Sequence, residues 1–133
     1  MIKEVELIPY PRMMWIAKNE NFDNLKEVFE FLSEEDLSLT NEEIVKTWNA
    51  IVCEVNKDNR TGYLVFICSN YEDSNLVHEA VHVALNVYED CSMELNSGMD
   101  QEPLAYLIEY VYKKLAELWK YINFMPIGVC LVN

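Results

Sequence analysis

Between residues 50 and 121 the hydrophobic pattern changes character once, and that change constrains the fold more than any other feature. Residues 50–56 and 61–68 are dense in β-branched and apolar side chains. The four residues between them, Lys57-Asp58-Asn59-Arg60, are polar and turn-forming, so the pair predicts a β-hairpin. Apolar residues then recur at helical spacing. Leu76, Ala80, Val83, Ala84 and Val87 define one face of a helix that Asp73 or Ser74 can cap and that runs to about Cys91. Ser97-Gly98 marks a loop, and Asp100 precedes Gln101-Glu102-Pro103, where Pro103 suits a first helical turn. Leu104, Leu107, Ile108, Val111, Leu115, Leu118, Trp119 and Ile122 carry that helix to about Tyr121. After Pro126, the apolar tail 127–132 is expected to pack back onto the body.

Upstream the pattern is weaker. Residues 5–18 read as an extended segment interrupted by Pro9 and Pro11, which predicts a sheet edge or an irregular entry. Phe22, Leu25, Val28, Phe29 and Leu32 predict an amphipathic helix over 22–32. Thr40 with Glu43 forms a capping box for a short helix near residues 44–48. The whole predicts an α+β fold in a single domain, residues 1–133, with a few antiparallel strands and three or four helices.

Charge excludes several functions. The chain carries a formal charge of −13, a field that repels phosphate, so nucleic-acid binding and adsorption to anionic membranes are not expected. Nine acids against one lysine fall between Glu20 and Glu43, a run that predicts a solvated helical face, or failing that a docking surface. No stretch approaches the ~20 apolar residues of a spanning helix, and the N-terminus lacks a signal-peptide pattern. Cys53, Cys68, Cys91 and Cys130 show no CxxC spacing and are expected to be mostly buried thiols in a reducing cytoplasm.

His78-Glu79-Ala80-Val81-His82 is an HExxH motif, and it falls inside the helix predicted after the hairpin. Residues four apart share a helix face, so two imidazoles there can occupy two corners of a Zn2+ tetrahedron. Glu79 then lies where it can accept a proton from water activated by the metal. The chain has only two histidines, and two placed at random fall four apart about once in 70 arrangements. The plain alternative is a helix with two ordinary histidines.

A catalytic zinc needs a third protein ligand. The metzincin continuation requires Gly at 85 and His at 88, where this chain has Leu85 and Tyr88. Cys91, Glu89 and Asp90 lie too far along the same helix to reach back. Glu94, Asp100, Glu102 and Glu109 remain, with Glu102 favoured because it opens the next helix. Its ordinary role there would be to stabilise the helix N-terminus.

HEAVH followed by QEPLAYLIEY resembles the gluzincin pattern of zincin metallopeptidases, HExxH plus a downstream glutamate on the following helix. More narrowly, the chain is similar to short metallopeptidases encoded by bacteriophages and prophages of gut bacteria. The resemblance is strongest over residues 62–112. It implies a minimal zincin-like fold: a small, mostly antiparallel sheet, an HExxH helix and a glutamate-bearing helix. It further implies a zinc-dependent peptidase in which His78, His82 and Glu102 hold Zn2+ and Glu79 is the general base. Thermolysin-like enzymes place an Asp four residues after the ligand glutamate, where this chain has Tyr106. Tyr106 is the first choice for stabilising the oxyanion, ahead of Tyr110, Tyr88 and Arg60. By the same resemblance a peptide substrate would dock as an added strand along Tyr63 to Cys68. Two other readings compete: a zincin-like zinc-binding protein that regulates or binds partners without hydrolysis, and an acidic interaction protein in which HExxH is incidental.

Overall fold

The computed structural model describes residues 1–68, 71–94 and 101–123, with side chains to residue 118. The expected loop at Ser97-Gly98, the candidate ligand Asp100, the side chains of Trp119 and Ile122, Pro126, the tail and Cys130 lie outside the described residues. The architecture is α+β, as expected. The described residues cluster into two compact units, one within residues 1–72 and one from residue 73 onward.

The first unit is built on a five-stranded sheet. Strands β1 (Ile2–Glu6), β2 (Met13–Lys18), β3 (Glu30–Phe31), β4 (Ala50–Lys57) and β5 (Arg60–Ile67) lie in the order β1-β2-β5-β4-β3. All neighbouring pairs are antiparallel except β2 with β5, which run parallel. The predicted hairpin is β4–β5. Asp58 and Asn59 both have positive φ, 53° and 62°, as a two-residue turn with the right-handed strand twist requires.

Two expectations for this unit are refined. Pro9 and Pro11 lie in an irregular loop that follows the edge strand β1, as one of the two alternatives has it, but β2 beyond them is not an edge. Met13–Lys18 contains no proline, is buried throughout and sits between β1 and β5. The helix expected over 22–32 is only one turn, α1 (Phe22–Leu25), and Glu30–Phe31 pairs with Asn56 and Val55 of β4 instead. That pairing turns Phe29 and Phe31 into the core and leaves Val28 and Leu32 largely exposed. The aromatic residues lock edge to face: Trp15 with Phe29 at 5.3 Å between centroids, and Phe22 with Phe31 and Phe66 at 5.3 and 5.4 Å. The core on this face also takes in Leu64, Val55, Ile44 and Cys53.

Short helices α2 (Glu34–Ser38) and α3 (Asn41–Thr47) follow β3. Thr40 caps α3 by accepting from the Glu43 N–H at 3.2 Å, the forward half of the expected capping box. Of the nine acids of the run seven are exposed and Glu20 and Asp36 are half-buried, and they are spread over short elements and loops rather than on one long helix. Cys53 and Cys68 are buried free thiols, as expected, and Cys91 is half-buried.

The second unit contains α4 (Asp73–Asp90) and α5 (Glu102–Asn123), which pack against each other. Asp73 and Ser74 lie in the first turn of α4 rather than before it. The predicted face of α4 is buried at all five positions, and on α5 Leu107, Val111, Leu115 and Leu118 are buried. Among the described residues no helix is long and apolar enough to cross a membrane.

Candidate metal centre

The motif lies in the middle of α4, where regular geometry fixes its directions. At about 100° per residue, His82 stands roughly 40° around the helix from His78 and one turn along it. Both point away from the buried face and are exposed. Their rings meet at 75° with centroids 4.6 Å apart, and the two Nε2 atoms approach to 3.0 Å. A hydrogen bond at that distance needs one ring protonated on Nε2 and the other presenting a lone pair. Tetrahedral zinc, about 2.05 Å from each nitrogen, would hold the pair about 3.3 Å apart. The pair therefore stands within a few tenths of an ångström of the spacing two imidazole ligands need.

Glu79 differs from its neighbours. It lies between the exposed histidine arc and the buried face, and is only 6% exposed. Burial penalises its charged form and pushes the carboxyl up to about 7. A carboxyl near neutrality is suited to taking and returning a proton.

The other candidates are less gathered. Among the described residues no group of three His, Cys, Asp or Glu side chains is poised around a metal. The two histidines fit a zinc ion, then, and a complete three-ligand set is not assembled among the described residues. Glu102 is the first residue of α5 and exposed, as is Glu94. Glu109 is tied to Lys113 at 3.0 Å, one turn on. Tyr106 is 66% exposed, Tyr110 is half-buried with the Lys114 ammonium 5.5 Å from its ring centre, and Tyr88 is buried. Arg60 belongs to the first unit, where its Nη2 donates to Glu4 at 2.6 Å.

The expected docking strand is corrected. Residues 62–67 of β5 are paired with β2 on one side and with β4 on the other. Both hydrogen-bonding edges are used, so no peptide can add along Tyr63 to Cys68. Strand order was the missing information: sequence places β5 just before the HExxH helix but does not say that β2 returns beside it.

Comparisons with protein-family models, curated proteins and solved structures found no match. The zincin resemblance rests on the motif residues themselves.

Proposed function

We propose that the chain is a small zinc-dependent peptidase. The observation that carries this reading is the convergence of the His78 and His82 Nε2 atoms at 3.0 Å on an exposed helix face, with a buried carboxyl, Glu79, between them in sequence. In this reading His78 and His82 hold the metal and Glu102, from the first turn of α5, completes the set. Zinc held there supplies the Lewis acidity that activates water and polarises a peptide carbonyl. Glu79 accepts the proton of the attacking water on its carboxylate and returns it to the departing amine. Tyr106, exposed one turn beyond Glu102, offers its hydroxyl as a donor to the developing oxyanion. The substrate is a peptide or protein segment, held without adding to β5. The free thiols suit a reducing, cytoplasmic setting.

A second reading is favoured by a specific observation. The incomplete ligand set among the described residues and the doubly paired β5 both suit a zincin-like protein that holds zinc without hydrolysing peptides.

Metal content and hydrolysis separate these readings. Protein purified without chelators or a histidine tag should carry one zinc per chain, weakened in Glu102→Ala. Glu79→Gln should keep the zinc and lose hydrolysis of a mixed peptide library. Zinc without hydrolysis in the native chain would establish the second reading. No zinc in any form, even after its addition, would overturn both and leave the acidic surface as the functional feature.

A further inference from the structure

The chain has 23 acids and only two arginines, and both arginines line one cavity of the first unit. This cavity, about 380 Å³, lies where the loop between β1 and β2 meets the β4–β5 turn. No lysine lines it, and Glu6 is its one carboxylate. The remaining wall mixes apolar surface from Ile8 and Met13 with the polar groups of Tyr10 and Asn59.

Both guanidinium groups are positioned by neighbours. Arg60 donates from Nη2 to Glu4 Oε1 at 2.6 Å, and the same oxygen accepts from Trp15 Nε1 at 2.8 Å. The Arg60 guanidinium stands over the Trp15 ring, 5.9 Å from its centre, and that indole is almost fully buried. Arg12 donates from Nη1 to the Pro11 carbonyl at 2.8 Å, which turns it back on its own loop. That loop is closed by backbone bonds from Leu7 N to Arg12 O at 3.0 Å and from Tyr10 N to Leu7 O at 2.7 Å. Ordering costs that a binding site ordinarily bears on association are thus met in folding. A planar guanidinium fork matches a carboxylate, and Ile8, 71% exposed, offers apolar surface on the wall of the same cavity.

We infer that the cavity between Arg12 and Arg60 binds a small carboxylate whose acid group adjoins an apolar body, such as the free C-terminus of a short peptide with an aromatic or aliphatic side chain. The guanidinium groups take the carboxylate and Ile8 and Met13 take the apolar part. This site lies in the first unit and does not depend on the metal reading.

The test uses hippurate, its amide and inorganic phosphate as probes, with binding to the full chain followed by calorimetry. Hippurate should bind and its amide should bind at least 10-fold more weakly. Arg12→Met should weaken hippurate at least 10-fold, and Arg12→Lys, which keeps the charge without the fork, should weaken it measurably with the melting temperature unchanged. His82→Ala should leave hippurate binding as it is. Equal binding of acid and amide, no binding of hippurate at about 10 mM, or indifference to both Arg12 substitutions would overturn the inference. Tighter binding of phosphate than of hippurate would overturn the carboxylate assignment, and loss of hippurate binding in His82→Ala would move the anion site to the histidines.

Discussion

Gly62→Ala tests the parallel β2–β5 contact on which the first unit is built. A Cβ at residue 62 would stand 2.0 Å from the Met13 carbonyl oxygen, 2.6 Å from its carbonyl carbon and 2.8 Å from its nitrogen. All three atoms are backbone, so no side chain can swing aside. Restoring ordinary contact requires β2 and β5 to part locally by about 1 Å, well beyond what a packed interior absorbs freely. Overpacking of this kind costs about 1–3 kcal/mol, and straining the adjoining ladder hydrogen bond adds about 1 kcal/mol. A total of about 3 kcal/mol is a large part of a small protein's stability and lowers its melting temperature by about 10 °C. The assay is thermal unfolding by far-ultraviolet circular dichroism, with hydrogen exchange to show that protection falls first in β2 and β5. A melting temperature within about 2 °C of the native chain would refute the close approach and with it the parallel pairing at Met13.

Asn59→Gly should stabilise the chain by about 0.5–1 kcal/mol, because residue 59 has φ 62° in the hairpin turn and glycine adopts that conformation without strain; urea unfolding checks it, and a loss of stability would show that the Asn59 side chain matters more than its backbone. Burial pushes the Lys18 ammonium down to about 8 from its usual 10.5. Between those values the unfolded chain holds a proton that the folded chain has released, so stability should rise with pH from about 8 to 10.5 relative to Lys18→Met; parallel curves for the two proteins would contradict the shift. His82→Ala should weaken zinc at least about 100-fold while leaving the helix intact, since residue 82 is exposed. Equilibrium dialysis against a zinc chelator reads that loss, and unchanged affinity would remove the histidine pair from the metal site.

Local sequence carried the second unit well. On α4 and α5 the apolar residues recur at helical spacing without interruption, and a helix is a local structure, so period alone decides which face is buried. The HExxH geometry follows from the same regularity: once residues 78 and 82 are helical, their imidazoles must share a face. The hairpin was equally legible, because Asp58 and Asn59 tolerate positive φ and stand between two β-rich runs.

The first unit was less legible because its strands are defined by partners far away in the chain. Phe22, Leu25 and Phe29 satisfy a helical period, yet Phe31 is worth more in contact with Phe22 and beside β4 than in a further helical turn. Residues 13–18 carry no signal of their neighbours, and only the parallel pairing with β5 shows that this run is interior. The same pairing closes the edge of β5 to any substrate strand. By itself the sequence determined α3, α4 and α5, the hairpin turn and the shared helix face of the two imidazoles, because each depends on residues within one or two turns of chain. Tertiary structure alone decided strand order, the burial of Glu79 and the placement of Arg12 and Arg60, 48 positions apart, on the wall of one cavity, because these depend on which distant segments exclude water from one another.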